Sequence, residues 1–551
     1  MIFEGSRQSP PAILEAELGL DAGAKSTTLA EAGALSDEDV VTSHYLAGWR
    51  LYTLALGIYL GTFLVNLEIS IVSTSLVSIT EDLKGFSQSS WVVTAYLLTY
   101  TSFMIIVAKS SDLFGRKTVL LLSMFIFTIF SGSCVAAKTI IQLIICRAFQ
   151  GIGGCGVYSI VMVIIFEMVS PAKYTLHYTI LTVLYAFSMT LGPIVGGVIN
   201  DRSSWIWVFL LNVPAGVVCM FLVAISMPRH FPNHKGTCQR RYSVYQIDFL
   251  GALLLIAAMT MHLTGLEEAA NLNPWKSSSV LIPLSLSGLL WISFIFSQYY
   301  VTASTRPQEP VLPWRFFRNR VAMGLIANAF LSGAISTTCL IQVPIFSQAA
   351  VGTNALGAGV HLIPYTLAME IGAMLVAASI AERRLPPVHL ALVAAVMQLV
   401  GVILLSIQSP NNPGYRGMYG IEAIIGLGVG AAITVTTLMM PYATEKQDLS
   451  VGTASIIQFR FMGGATALAI VTAVANTWLR GALLDVLSPE EITLVFRRPD
   501  TINSLPGALR STVRLMFAKS FSLQMRILIG FAAAQFPVTF LTWKKDQIRV
   551  D

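Results

Sequence analysis

Charged side chains are scarce in this sequence. Only 12% of its 551 residues are Asp, Glu, Lys or Arg, while 55% are hydrophobic and the mean hydropathy is +0.70. That is too little polarity to cover a soluble surface of this size, so the surplus apolar surface is expected to face lipid. Other absences narrow the function. No Gly-Lys-Ser or Gly-Lys-Thr tripeptide occurs, and an ATP-driven pump needs that phosphate cradle. The seven histidines are dispersed, without zinc-like spacing or a nucleophile–base set, so no enzyme and no metal are expected. Cys134, Cys146, Cys155, Cys219, Cys238 and Cys339 lack the close-pair spacing of a metal site and read as small packing residues. A formal charge of +6 lies between apolar runs, not on an aromatic-interleaved patch, which argues against nucleic acid as a partner. Residues 1–50 mix polar and acidic side chains without the basic start and short apolar core of a cleavable signal, so the first apolar run is expected to persist. No Asn-x-Ser/Thr acceptor occurs, and orientation must come from charge.

What the sequence has is long apolar runs. A span takes about 20 mostly apolar residues, and the runs predict fourteen, at approximately 51–73, 90–108, 119–137, 140–163, 176–200, 205–227, 247–265, 279–300, 321–347, 357–379, 388–408, 417–441, 452–476 and 524–543. With the N-terminus in the cytoplasm, Lys and Arg favour the short inner loops over the outer ones by roughly three to one, which predicts both termini inside and an even number of spans. Segment 477–523 would be a long outer loop. The spans near 247–265 and 279–300 separate two blocks of six, which suggests repeated halves with an inserted helix pair. The expected domains are a disordered cytoplasmic tail 1–50, an N-terminal six-helix bundle 51–227, the inserted pair and its linkers 228–320, a C-terminal six-helix bundle 321–543 and a tail 544–551.

Polar residues inside such runs carry the chemistry, because an intramembrane charge is costly unless paired or hydrated. The first span holds Glu68, beside Thr62, Asn66 and Ser70 at four-residue intervals; a carboxyl there can bind and release a proton or a cationic substrate. The fourth span holds Arg147, with Gln150, Gly151, Gly154 and Tyr158 on one side. Arg147 reads as a functional partner of Glu68, or as a structural ion pair or snorkelling side chain. Asp112, Gly115, Arg116 and Lys117 follow the second span; an ordinary positive inner loop explains the bases but not the acid–glycine–base spacing. In the fifth span, Gly192, Pro193, Gly196 and Gly197 combine a small-xxx-small pair with a proline hinge. In the second half Gln342, Gln348, His361, Glu370, Glu422 and Arg460 lie in or near spans; with Asn66 and Gln150 they are substrate-cavity candidates, each with a buried structural hydrogen bond as the alternative.

These motifs bear a family resemblance. Ala108-Lys109-Ser110-Ser111-Asp112-Leu113-Phe114-Gly115-Arg116-Lys117 resembles the signature loop of the major facilitator superfamily, with Ala108 in place of the usual first glycine. Arg147-Ala148-Phe149-Gln150-Gly151 followed by Gly192-Pro193-Ile194-Val195-Gly196-Gly197 resembles its antiporter branch. The segments Trp91–Tyr96, Trp205–Pro214, Asp248–Gly251, Val343–Gln348 and Arg460–Gly464 are similar to the fourteen-helix drug:proton antiporters over residues 50–475, with Ile206 and Glu68 where the family usually has Arg and Asp. The resemblance implies an all-α membrane fold of two six-helix bundles plus two central helices, a gating role for Asp112, Gly115, Arg116 and Lys117, and an association of the Gly192–Gly197 motif with export.

The leading expectation is proton-coupled efflux of a small lipophilic or amphipathic compound (secondary metabolite, toxin or drug) by alternating access, with Glu68 as proton carrier and Arg147 as its partner. The expected energy source is the proton gradient, without a cofactor. The expected partners are substrate, protons and the lipid bilayer of the plasma or vacuolar membrane, with no obligate protein partner evident. A siderophore or nutrient carrier, or a non-transporting sensor on the same fold, stays open at this stage.

Overall fold

The computed structural model describes residues 46–84, 89–170, 173–228, 231, 248–270, 275–304, 308–353, 355–383, 386–408, 417–497 and 499–544. The N-terminal tail up to residue 45, Cys238, most of the 228–246 linker and residues 545–551 lie outside them. The described chain is helical because lipid offers no partner for backbone N–H and C=O groups, and a helix satisfies both within one segment.

The N-terminal half comprises α1 (Trp49–Asp82), α2 (Ser89–Ser102), α3 (Met104–Phe114), α4 (Arg116–Val135), α5 (Ile140–Met168), α6 (Tyr174–Arg202), α7 (Ile206–Leu210) and α8 (Asn212–Ser226). Then come α9 (Phe249–Ala270), α10 (Ser278–Ala303) and the short α11 (Trp314–Arg318). The C-terminal half comprises α12 (Arg320–Phe346), α13 (Ala355–Arg383), α14 (Pro387–Ser406), α15 (Met418–Ala443), α16 (Leu449–Leu483), α17 (Pro489–Arg497) and α18 (Gly507–Leu541). Among the described residues thirteen stretches are long and apolar enough to cross a membrane, and α2 with α3, bent by 47°, makes fourteen.

Two features differ from the sequence expectation. The second span is broken at Phe103, and α3 ends only one residue, Gly115, before α4 begins. Gly115 sits at φ 90°, a backbone conformation that L side chains rarely adopt, so the expected gate loop is really two helix ends joined at a glycine. Segment 477–523 is no open loop: α16 runs to Leu483, α17 and a 3-10 turn (Pro499–Ser504) follow, and α18 starts at Gly507. Ile492, Val495 and Ile502 bury themselves against Leu479, Leu483 and Val513, an apolar face too short to register as a span.

Helices α1 to α8 pack among themselves, as do α12 to α16 with α18, giving two bundles that meet through α3 with α16 and α6 with α13. The inserted pair leans on both, α9 against α2 and α16. His262 of α9 bonds Thr466 of α16 at 2.9 Å. Leu289, Ile292 and Phe296 of α10 are 64, 68 and 68% exposed at helical spacing, a stripe that suits lipid contact.

Both described ends of the chain lie on one face. Leu46 bonds the last turn of α5 at Met168 (3.2 Å), and Leu541 packs beside Gly324 in the first turns of α12. On that face the bundles share one core, with Ile105 and Ala108 of α3 in the same buried cluster as Val451, Ala454 and Ile457 of α16. Towards the other face the bundles keep separate cores, around Val72 and Phe209 in one and Met418 and Val429 in the other. The molecule is therefore closed on the face that carries its ends.

Candidate functional site

Four helices converge on a charge cluster inside the N-terminal bundle. Glu68 of α1 and Arg147 of α5 form an ion pair in which both side chains are essentially inaccessible. The same guanidinium donates to Oε1 of Gln150 at 2.8 Å and, through Nε, to the carbonyl of Val92 in α2 at 3.1 Å. Asn212, at the start of α8, donates to the other oxygen of Glu68, and Tyr96 lays its ring 4.3 Å from the guanidinium carbon. Each charge is thus paired and hydrogen-bonded, the condition under which a buried pair persists. Sequence reasoning placed Glu68 opposite Arg147 and missed Asn212, although that residue is the polar one in Leu210-Leu211-Asn212-Val213.

Between the bundles lies a cavity walled by residues of both. Its N-terminal wall is Thr62, Tyr158, Met162, Tyr178, Leu181, Thr182 and Tyr185; its C-terminal wall includes Ser336, Thr337, Met369, Glu370, Thr434, Arg460 and Phe461. Arg460 donates to the hydroxyl of Tyr158 at 3.4 Å, from one bundle to the other. Oε2 of Glu370 is buried without a hydrogen-bond partner among the described residues. The Glu68 cluster is not in this wall. It connects to it through α1, which carries Thr62 six residues, about 9 Å, from Glu68, and through α5, which carries Tyr158 and Met162.

Of the expected cavity residues, only Glu370 and Arg460 line this space. Gln150 belongs to the charge cluster. Asn66 donates back to the carbonyl of Thr62 at 2.8 Å, Gln342 bonds Thr472 at 2.9 Å, and Gln348 sits in the π-helical turn Ser347–Val351. Glu422 is buried within the C-terminal bundle, and neither carboxyl oxygen meets a hydrogen-bond partner among the described residues. His361 contacts Tyr419. The tyrosine wall was missed, although Tyr178, Thr182 and Tyr185 recur at spacings of four and three along α6, one helical face.

The three charged gate candidates have different partners. Arg116 pairs with Asp112 one turn earlier and with Glu167 of α5 at 2.8 Å. Lys117 donates to the carbonyls of Ala224 and Met227 (2.6 and 2.5 Å) at the end of α8. Asp112 reaches the opposite bundle, accepting a hydrogen bond from Ser450 in the first turn of α16, where the helix dipole favours an anion. Next to it, Lys109 pairs with Glu309 before α11 at 2.7 Å.

Helix α6 is continuous across the Gly192–Gly197 motif. A Cβ at Gly192 would run into the side chain of Ser70 and come within 3.0 Å of the Ile71 nitrogen, whereas one at Gly197 would meet nothing within 4 Å. Gly196 is buried, and the side chain of Pro193 lies outside the described residues.

The model for the Major Facilitator Superfamily matches residues 58–469. The chain belongs to the major facilitator superfamily. It is 34% identical to an MFS-type transporter of Fusarium mangiferae, with 95% of this chain and 90% of the relative covered. It is 28% identical to the acurin A biosynthesis cluster MFS-type transporter of Aspergillus aculeatus, over 90% and 89%. It is 30% identical to multidrug resistance protein 3 of Bacillus subtilis, over 68% and 70%. Membership in this superfamily makes the protein an integral membrane transporter and not an enzyme. The all-helical architecture, with its candidate spans in two bundles and an inserted helix pair, agrees with that membership.

Proposed function

We propose that this superfamily member is a proton-coupled exporter of a small lipophilic or amphipathic compound, working by alternating access in the plasma membrane. One observation carries the coupling: an ion pair, Glu68–Arg147, is sealed inside one bundle, next to but outside the substrate cavity. A proton taken up by Glu68 cancels its half of the attraction and leaves Arg147 with neutral acceptors, Gln150 and the Val92 carbonyl. Helices α1 and α5 then lose their strongest mutual contact, and both also line the cavity. The closed face, sealed by α3 and α16, would open when the bundles rock. Relatives named for a biosynthetic cluster and for multidrug resistance support export of a natural product or drug. The proton gradient serves as the energy source, with no cofactor, and the partners are substrate, protons and lipid.

The test is reconstitution in proteoliposomes under an imposed pH gradient, with a panel of fluorescent lipophilic compounds. Gradient-dependent movement of a compound together with counterflow of protons is the expected result. Binding without movement of either would overturn the proposal in favour of a sensor, and movement in the same direction as protons would replace export with uptake.

A further inference from the structure

The cavity contains two ionisable groups of opposite kind, and they are not equivalent. Arg460 has no carboxylate within ion-pair distance among the described residues, and its one side-chain hydrogen bond is the 3.4 Å contact to Tyr158. Arg147, in the other bundle, is by contrast saturated by a carboxylate, an amide and a backbone carbonyl. A guanidinium has five N–H donors and keeps its charge at any physiological pH, so Arg460 presents unused donors and a permanent positive charge to whatever enters. Glu370, by contrast, can become neutral by taking a proton. A cationic ligand would meet a repulsion that nothing can remove, whereas an anionic ligand would meet one that a single proton removes. The fixed charge therefore sets the sign of the ligand.

The same wall sets its shape. Tyr158, Tyr178 and Tyr185 face Arg460 from the N-terminal bundle, and the Phe461 ring lies 5.5 Å from the guanidinium carbon. Aromatic faces grouped round one cation suit a flat conjugated body with the anionic group at its edge. One guanidinium facing one carboxyl leaves no partner for a second anionic charge. We propose that the central cavity selects organic monoanions, a carboxylate or an ionised enol or phenol on a planar apolar body, with Arg460 as the anion anchor and the three tyrosines and Phe461 as the stacking wall. The proposal names the substrate class of the cavity used in the preceding section and rests on that cavity being the transport site. It does not depend on proton coupling.

Three matched probes test it on the purified full-length protein in nanodiscs, by fluorescence titration at one fixed pH without a gradient: 1-pyrenecarboxylate, 1-pyrenecarboxamide and 1-pyrenemethylammonium. The carboxylate is expected to bind at least tenfold more tightly than the amide, and the ammonium more weakly than either. Arg460→Gln should bring carboxylate and amide to within about twofold while leaving amide affinity near its original value, and Tyr185→Ala should weaken all three together. If Arg460→Gln cannot be purified, the wild-type ranking decides alone. Equal or tighter binding of the ammonium, or an unchanged carboxylate preference in Arg460→Gln, overturns the assignment; failure of all three probes to bind overturns the planar-body part. Selective carboxylate binding without gradient-driven movement would sink proton-coupled export and leave the substrate class standing.

Discussion

The backbone N–H of Ile105 donates to Oε1 of Gln458 at 3.1 Å, across the junction between the two bundles. The bond exists because the span is broken at Phe103: a helix starting at Met104 leaves its first N–H groups without intrahelical partners, and Gln458 of α16 supplies one. The bend and the closed face are thus one feature. Gln458→Leu should leave a buried donor unsatisfied only when this face is closed, a cost of about 1–3 kcal/mol. The closed state should then lose roughly 5- to 150-fold in relative population, read as faster labelling of a cysteine introduced at Ala108 by a thiol reagent applied from the face that carries the chain's ends. Unchanged labelling would mean that the junction holds without this bond.

Glu68→Gln and Arg147→Leu should separate coupling from folding. The amide keeps size and acceptor capacity but cannot carry a proton, so gradient-driven accumulation should fall at least tenfold while monodisperse yield stays near wild type. Arg147→Leu strands a buried carboxylate, a loss of about 3–5 kcal/mol, and should chiefly lower yield. Normal pH-driven transport by Glu68→Gln would end its assignment as proton carrier, with Glu370 next to be examined.

Asp112→Asn loses the ion pair with Arg116 and the anion at the start of α16 while leaving Arg116 its pair with Glu167. Transport per inserted molecule should drop about tenfold with insertion largely preserved. Equal transport per molecule would show that the Asp112–Ser450 contact has no part in gating.

Gly192 and Gly197 should respond oppositely to alanine. At Gly192 the new methyl has to displace Ser70 of α1, so yield or transport should fall severalfold; at Gly197 the space is open and both should stay within about twofold. Similar losses at the two positions would mean that Gly197 serves a conformation packed differently from this one.

Helix α17 should fray in acid. The Glu491 carboxylate accepts from the N–H and hydroxyl of Ser488 (2.9 and 2.8 Å), and Ser488 accepts from the Glu491 N–H at 3.3 Å, a reciprocal cap. Those bonds hold the Glu491 carboxyl below its ordinary pKa, the backbone N–H of Ser488 contributing most. The cap is therefore fully present above the ordinary glutamate range and is lost as pH falls through the lowered value. Amide protection in 488–497, taken relative to the intrinsic exchange rate at each pH, should fall over that window, and Ser488→Ala should remove the step; protection that does not change with pH would show that the apolar face alone holds the helix.

By itself the sequence determined the class, the spans and which charges had to be explained. Long apolar runs admit one solution in lipid, and Glu68 and Arg147 could be matched because two lone charges at similar depth in neighbouring spans must find each other or pay for desolvation. The three-to-one loop bias and the Asp112–Gly115–Arg116 spacing are likewise local features that a linear reading detects. Tertiary structure decided everything that depends on how helices are rotated and on which face of the molecule is shut. It put Asn212 on Glu68, sent Asp112 across to the other bundle and Lys117 to the end of α8, kept Gln342 and Glu422 out of the cavity and gathered three tyrosines opposite Arg460. It also turned most of 477–523 into helix. These outcomes are set by packing between residues hundreds of positions apart, and hydropathy, which carries depth but not rotation, contains no record of them.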